Sequence, residues 1–327
     1  MDDFIKKIQN SNLPLIHLCP IFYNKDLDKI IIDRSDESIT EDIANQYEEF
    51  CKKNDIPISK ILILHSNVIL EREYSYPFDY FFMECKQLLN ICPDYGIVNY
   101  NDKKEKIYSC LNHSENNHRT IIFEGLKERK LLKHGFVSYL DKGVYLPRNI
   151  EERRAEDSGW RWDTLIPKVV SKTYFNVVTE THCEVGWNEN DHNGQLYNTD
   201  FDDLFITEKT CKALITQPFI IVGNYGTLKY LKSLGFETYP ELFDESYDLM
   251  NNPVDLDKKT RIEGNRLNFI LDEVERLCNM NKNELEKIYK SVLWKVEHNR
   301  KVMLDFQDDE FASKHTQAGL LWHRIGE

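Results

Sequence analysis

The sequence predicts an α/β protein built on parallel sheets and divided into two units. Three observations carry that expectation. Short apolar runs alternate with amphipathic segments along most of the chain, the pattern of strands and crossover helices around a parallel sheet. The 327 residues suffice for about two domains of ordinary size. The polar stretch Asn101-Asp102-Lys103-Lys104-Glu105-Lys106 interrupts the pattern, which restarts more clearly beyond it. The expected division is an N-terminal α/β unit over 1–102 and a second unit over 103–327 that ends in helices.

In the first unit, an amphipathic helix over 39–54 precedes the buried strand Lys60-Ile61-Leu62-Ile63-Leu64-His65. Ser38 or Thr40 can cap that helix, with Glu41 and Asp42 favoured in its first turn by the helix dipole. The run over 80–89 reads equally as helix or strand. In the second unit, strands are expected over 107–111, 136–140, 174–178 and 218–222. Helices are expected over 119–133, 207–216 and 227–233, the first and last closing at Gly135 and Gly235. Residues 256–306 read as helical in two segments. No internal repeat or low-complexity tail is visible.

Composition narrows the function classes. Hydrophobic residues make up 41% of the chain, enough to bury substantial cores. Basic side chains number 42 against 55 acidic ones, for a net charge of −13. Duplex nucleic acid is therefore disfavoured as a partner unless basic residues cluster, and Lys6, Lys7, Lys52, Lys53 and Lys60 are scattered among acids. No run approaches the roughly 18 apolar residues that span a bilayer, and the start is not a signal peptide. None of the eight cysteines forms a Cys-x-x-Cys pair, so free buried thiols and a cytoplasmic location are expected.

The segment Phe205-Ile206-Thr207-Glu208-Lys209-Thr210-Cys211-Lys212-Ala213-Leu214 is the most informative. Thr207 suits an N-cap, and Ile206 with Cys211 suits a hydrophobic staple. Glu208 and Lys209 then lie in the first helical turn, where free amides and the dipole can hold an anion. A solvated Glu-Lys pair on a capped helix fits the same spacing. The strand Pro218-Phe219-Ile220-Ile221-Val222 follows, then Gly223-Asn224-Tyr225-Gly226, where backbone can approach a ligand.

Several of these stretches resemble the donor-binding signature of the α1,3-fucosyltransferase family. They are Phe175-Asn176-Val177-Val178-Thr179-Glu180, then Phe205-Ile206-Thr207-Glu208-Lys209, then Lys212-Ala213-Leu214. Cys110-Leu111-Asn112 followed by His118-Arg119 is similar to that family's Ser-Asn…Arg element. The stretch over 218–248 resembles glycosyltransferases of large DNA viruses and phages, which would put the protein in a host cytoplasm. The likeness covers residues 107–248, and Thr181 departs from the family's Asn.

It implies a GT-B-like α/β fold, two Rossmann-like domains with a cleft between them, and a helical C-terminus. The implied donor is a nucleotide-diphosphate sugar, with no cofactor or metal required. Arg119 and Lys209 would hold phosphate, Glu208 the ribose and Glu180 the sugar side; Thr207 as the cap, and Gly223, Asn224 and Gly226 by the backbone access read above, complete the expected donor site. The implied acceptor is a glycan, a protein side chain or a hydroxylated nucleobase.

An inverting transfer needs a base for the acceptor's proton. His65 and Glu71, with Glu73 nearby, are the candidates from the N-terminal unit. Asp200-Phe201-Asp202-Asp203 fits instead the Asp-x-Asp metal motif of a metal-dependent glycosyltransferase using Asp200 and Asp202. His182, Cys183 and His192 are formally zinc-ligand types. Trp160 and Trp162, beside Arg153, Arg154 and Arg161, suit a mobile lid over a sugar phosphate. A non-catalytic nucleotide-binding or interaction module is the alternative from another class. The sugar-transfer reading asks that the helix mouth at Thr207 stand open to a groove.

Overall fold

Two four-stranded sheets organise the chain in a computed structural model that describes residues 2–11, 13, 20–34, 38–39, 41–70, 72–147, 162, 165–183, 204–249 and 265–315. The first half contains α1 (Asp2–Gln9), β1 (Ile21–Asn24), β2 (Lys29–Arg34), α2 (Glu41–Lys53), β3 (Ile61–His65), β4 (Ser75–Pro77) and α3 (Tyr80–Ile91). The second half begins with β5 (Tyr108–Asn112), α4 (Asn117–Glu128), β6 (Gly135–Tyr139), α5 (Pro167–Ser171) and β7 (Phe175–Thr179). It continues through α6 (Glu208–Leu214), β8 (Phe219–Val222), α7 (Thr227–Ser233), α8 (Asn265–Asn279), α9 (Lys282–Leu304) and α10 (Glu310–His315). The α/β class expected from the sequence is present, with parallel pairing dominant.

The first sheet has the order β1-β2-β3-β4, with β1 antiparallel to β2 and the other pairs parallel. Strand alternation assigns its two faces. Ile30, Ile32, Ile61 and Ile63 pack with Ile43, Ala44, Tyr47 and Cys51 of α2. Ile31, Leu62 and Leu64 face the other way, into a core shared with the second half. A strand buried on both faces reads as an unbroken apolar run, which Ile61-Leu62-Ile63-Leu64 is.

The α3 helix explains why its sequence was ambiguous. Tyr80, Phe81, Phe82, Met83, Glu84 and Cys85 are all buried in succession, so no amphipathic period exists to mark it as helical. It lies between the two halves. Phe81 meets Phe205 at 5.8 Å between ring centroids, and Phe82 meets Phe236 at 5.5 Å and Phe306 at 5.3 Å. The segment after α9 returns to the first half, where Lys86 Nζ donates to Phe306 O (2.7 Å) and Tyr76 donates to Asp309. One apolar cluster runs continuously through both halves.

A polar contact crosses the same seam. Asp79 accepts the Tyr230 hydroxyl at 2.8 and 2.9 Å, and burial raises its carboxyl to about 6, with the Asp309 charge adding to the rise. The described cysteines Cys51, Cys85, Cys92, Cys110, Cys183, Cys211 and Cys278 are free, and burial pushes Cys51 up to about 11 and Cys110 to about 12. Such thiols are poor nucleophiles at neutral pH. No helix among the described residues is long and apolar enough to cross a membrane.

Two outcomes follow from the seam. Phe82→Ala should cost about 3–5 kcal/mol in urea denaturation, with both halves melting in one transition. Separate transitions for the halves would contradict the shared core. Because the folded Asp79 carboxyl sits above its ordinary value of 3.8, the folded state holds this proton more tightly than the unfolded state. Its contribution is fully present below 3.8 and is lost as pH rises through about 6. Asp79→Asn should flatten the fall of stability across that window, and an unchanged slope would refute the assignment.

Candidate functional site

The second sheet is parallel throughout, in the order β6-β5-β7-β8. The chain winds from β5 outward to β6, then returns to the other side of β5 to form β7 and β8. The order therefore reverses between β5 and β7, and the crevice beyond their carboxyl ends is where open α/β sheets bind ligands. Three loops meet there. They carry Ser114–Asn116 after β5, Glu180 and Thr181 after β7, and Thr207 at the start of α6.

Glu180 organises the site. It is 1% exposed. Its carboxylate accepts the Thr207 amide (3.1 Å), the Thr207 hydroxyl (2.5 Å), the Thr210 amide (3.3 Å), the Thr210 hydroxyl and the Thr181 amide (3.2 Å). Its main-chain carbonyl accepts His118 Nε2 (2.8 Å) and Arg119 Nη2 (3.0 Å). One residue thus joins the end of β7 to the starts of α4 and α6.

This corrects the expected open mouth at Thr207. Thr207 is the N-cap as read from the sequence, and its hydroxyl accepts the Lys209 amide at 3.4 Å. The mouth itself, however, is filled by the Glu180 carboxylate, which supplies the negative charge the dipole favours. The next helix start repeats the device. Asp248 accepts the amides of Leu228 (2.9 Å) and Lys229 (3.0 Å) at the first turn of α7.

Two cations flank Glu180. Lys209 Nζ donates to Thr181 Oγ1 (2.9 Å) and Thr207 Oγ1 (3.1 Å) and pairs with Glu208 at 3.4 Å, on a half-buried side chain. Arg119 is 6% exposed; its Nη1 donates to Ser114 O (3.1 Å), and its Nε is buried without an acceptor. Burial, reinforced by the Arg119 charge, lowers His118 to about 3, so its imidazole is neutral. Because its partner at Glu180 is a carbonyl, His118 Nε2 carries the ring proton. Arg119, Glu180, Thr207, Glu208 and Lys209 therefore form one connected cluster.

The other expected positions distribute differently. Gly223 packs closely on Glu180, since a Cβ there would lie 3.2 Å from Glu180 Cγ. The carbonyls of Gly223 and Asn224 accept from Arg266 at 2.7 and 3.3 Å, which braces this loop from within. Gly226 adopts φ +77, the left-handed conformation that starts α7.

His65 is 0% exposed at the end of β3, opposite Arg34 and Pro77 in register, which corrects the expectation of a base in an accessible loop. Glu73 is exposed. Glu71, Asp200, Asp202, His192, Trp160, Arg153, Arg154 and Arg161 lie outside the described residues. His182 packs on Phe205 at 4.9 Å, and Cys183 is buried. Among the described residues no cluster of three or more His, Cys, Asp or Glu side chains is placed to hold a metal. Trp162 is 0% exposed, with its carbonyl accepting Tyr95 at 2.7 Å, so it is core and not a lid.

Sequence reading missed Asn116, Asn67, Asp248 and Arg266. Asn116 carried a usable signal, as an N-cap type directly before a helix. The others act across long sequence separations. Asn67 accepts the Leu204 amide (3.0 Å) and donates to Ile39 O (2.8 Å), tying the first sheet to the segment entering α6.

Comparison with protein-family models, with curated proteins and with solved structures returns no match. Any functional reading of the site rests on its residues and their geometry. If Glu180 holds the cluster together, Glu180→Gln should destabilise the fold by about 3 kcal/mol in urea denaturation, because one amide group cannot accept all the donors aimed at it. A loss below about 1 kcal/mol would contradict that role.

Proposed function

We propose that the chain is a glycosyltransferase that moves a sugar from a nucleotide-diphosphate sugar to an acceptor hydroxyl, by inverting displacement and without a metal. The donor binds beyond the carboxyl ends of β5 and β7, its diphosphate held by the side chains of Arg119 and Lys209 and not by the α6 mouth, which Glu180 fills, and the two halves act as the facing units of a GT-B-like enzyme. One observation carries the reading. The residues of the fucosyltransferase-like motif, scattered over 119–209 in sequence, converge on Glu180 at the point where strand order reverses.

The chemistry follows from that cluster. Breaking the bond to the sugar leaves negative charge on the departing diphosphate, and cations held in place before reaction stabilise it. Arg119 and Lys209 are such cations, oriented by Ser114, Glu180, Thr181 and Thr207. In this reading Glu208, paired with Lys209, accepts from ribose hydroxyls. The acceptor is a glycan, a protein side chain or a hydroxylated nucleobase, approaching from the first half.

The complete burial of His65 favours a second reading, in which the chain binds the nucleotide and transfers nothing. Release of nucleoside diphosphate from a donor, with or without an acceptor, separates the two. A thermal-shift panel of UDP-, GDP-, CMP- and dTDP-sugars identifies the donor, since a ligand that binds the native state raises its melting temperature. Lys209→Ala and Arg119→Ala should each weaken donor binding by about 1–3 kcal/mol in calorimetric titration. Undiminished affinity in both folded variants would refute the phosphate assignment.

A further inference from the structure

We infer that Asn67, in the first half, is a positioning residue for the donor site: it holds the segment that leads to Lys209 and so sets where the Lys209 ammonium meets the ligand. This rests on the nucleotide-sugar reading above and adds to it a dependence of donor binding on the first half.

The geometry is a clasp between two short stretches of backbone. Asn67 lies two residues beyond β3 and is completely buried. It forms an isolated antiparallel bridge with Phe205, and the Val68 amide donates to Leu204 O at 3.3 Å. The Asn67 carboxamide completes the clasp. Its Oδ1 accepts the amides of Leu204 (3.0 Å) and Ile69 (3.4 Å), while its Nδ2 donates to Ile39 O (2.8 Å). The side chain is thus anchored in the first half and grips the segment entering α6. Those contacts need a donor and an acceptor on one short side chain, which a carboxamide supplies.

The clasp lies three residues from the site. Leu204, Phe205 and Ile206 are buried, and Phe205 packs on Phe81 of α3 and on His182. A close-packed segment transmits a shift at one end to the other. At its far end the Thr207 amide donates to Glu180, and the Thr207 hydroxyl accepts from Lys209 Nζ at 3.1 Å. Glu180 therefore fixes Thr207 against β7, and Asn67 fixes the approach to Thr207 from the first half. Lys209 is oriented only when both hold. A charge that must meet a diphosphate in a set geometry is sensitive to displacements of about 1 Å.

Calorimetric titration of the full chain with whichever nucleotide-sugar the panel identifies tests the role in a double-mutant cycle, at a temperature where circular dichroism shows each variant folded. Asn67→Leu removes the side-chain hydrogen bonds at similar volume and should weaken donor binding about fivefold or more. In a Lys209→Ala background the same change should have less than about a twofold effect, because the group it positions is gone. Asn67→Ser repeats the cycle with a smaller change if Asn67→Leu does not fold. A merely structural Asn67 lowers the melting temperature and leaves the affinity of the folded protein unchanged. That result, or equal losses in both backgrounds, overturns the positioning role and leaves the glycosyltransferase reading standing. A wild-type chain that binds no nucleotide-sugar of the panel overturns both.

Discussion

The Glu180 carboxylate, buried and surrounded by donors, is the interaction on which the second half is arranged. A bare buried carboxylate is prohibitively costly, so its presence requires the hydroxyls and amides of Thr207 and Thr210 to stay in place. Those residues begin α6, so the helix cannot shift relative to β7 without exposing the charge to an apolar interior. The same residue's carbonyl holds His118 and Arg119, which fixes the start of α4 against β7. Three loops that share no sequence neighbourhood are thereby held as one polar body, resting on the apolar strands Val177-Val178 and Ile220-Ile221.

Under the proposed sugar transfer, that rigidity would have a chemical use. Electrostatic catalysis is effective when charges are oriented before the reaction and need not reorganise during it. Lys209 and Arg119 meet this condition in different ways. Lys209 lies at the half-buried rim, held by two threonine hydroxyls, whereas Arg119 is enclosed and anchored at both ends to main-chain carbonyls. The carboxylates of Glu180 and Asp248 already place an anion at the mouths of α6 and α7.

The two halves are joined more firmly than a linker between independent domains would join them. The α3 helix, with Tyr80 to Cys85 buried in succession, packs against α6 and α9, while the segment after α9 crosses back to Tyr76 and Lys86. Asn67 adds a polar tie beside the site, linking the loop after β3 to the residues that lead into α6. A change in the first half therefore reaches Thr207 through only a few bonded residues.

Local chemistry was enough to locate most of the second half. The strands β5 to β8 and the helix starts at Thr207 and Thr227 were legible because apolar runs, capping types and glycine stops act over a few residues. In the first half, β1, β2 and β4 were not recognised. β1 and β4 are short, half-buried strands set by their partners, whereas β2 carries the readable apolar run Ile30-Ile31-Ile32. The α3 helix had no readable period because both of its faces are buried. The motif residues were visible as a set of charges with the chemistry of a phosphate site. Which of them would face a ligand was not visible. That Glu180 would turn inward onto α6, that Asn116 would leave α4 uncapped, and that Arg266 would brace Gly223 depended on contacts between residues far apart in the chain. Residue type determines what a group can bond to. Only the packed structure decides which of the available partners is within reach.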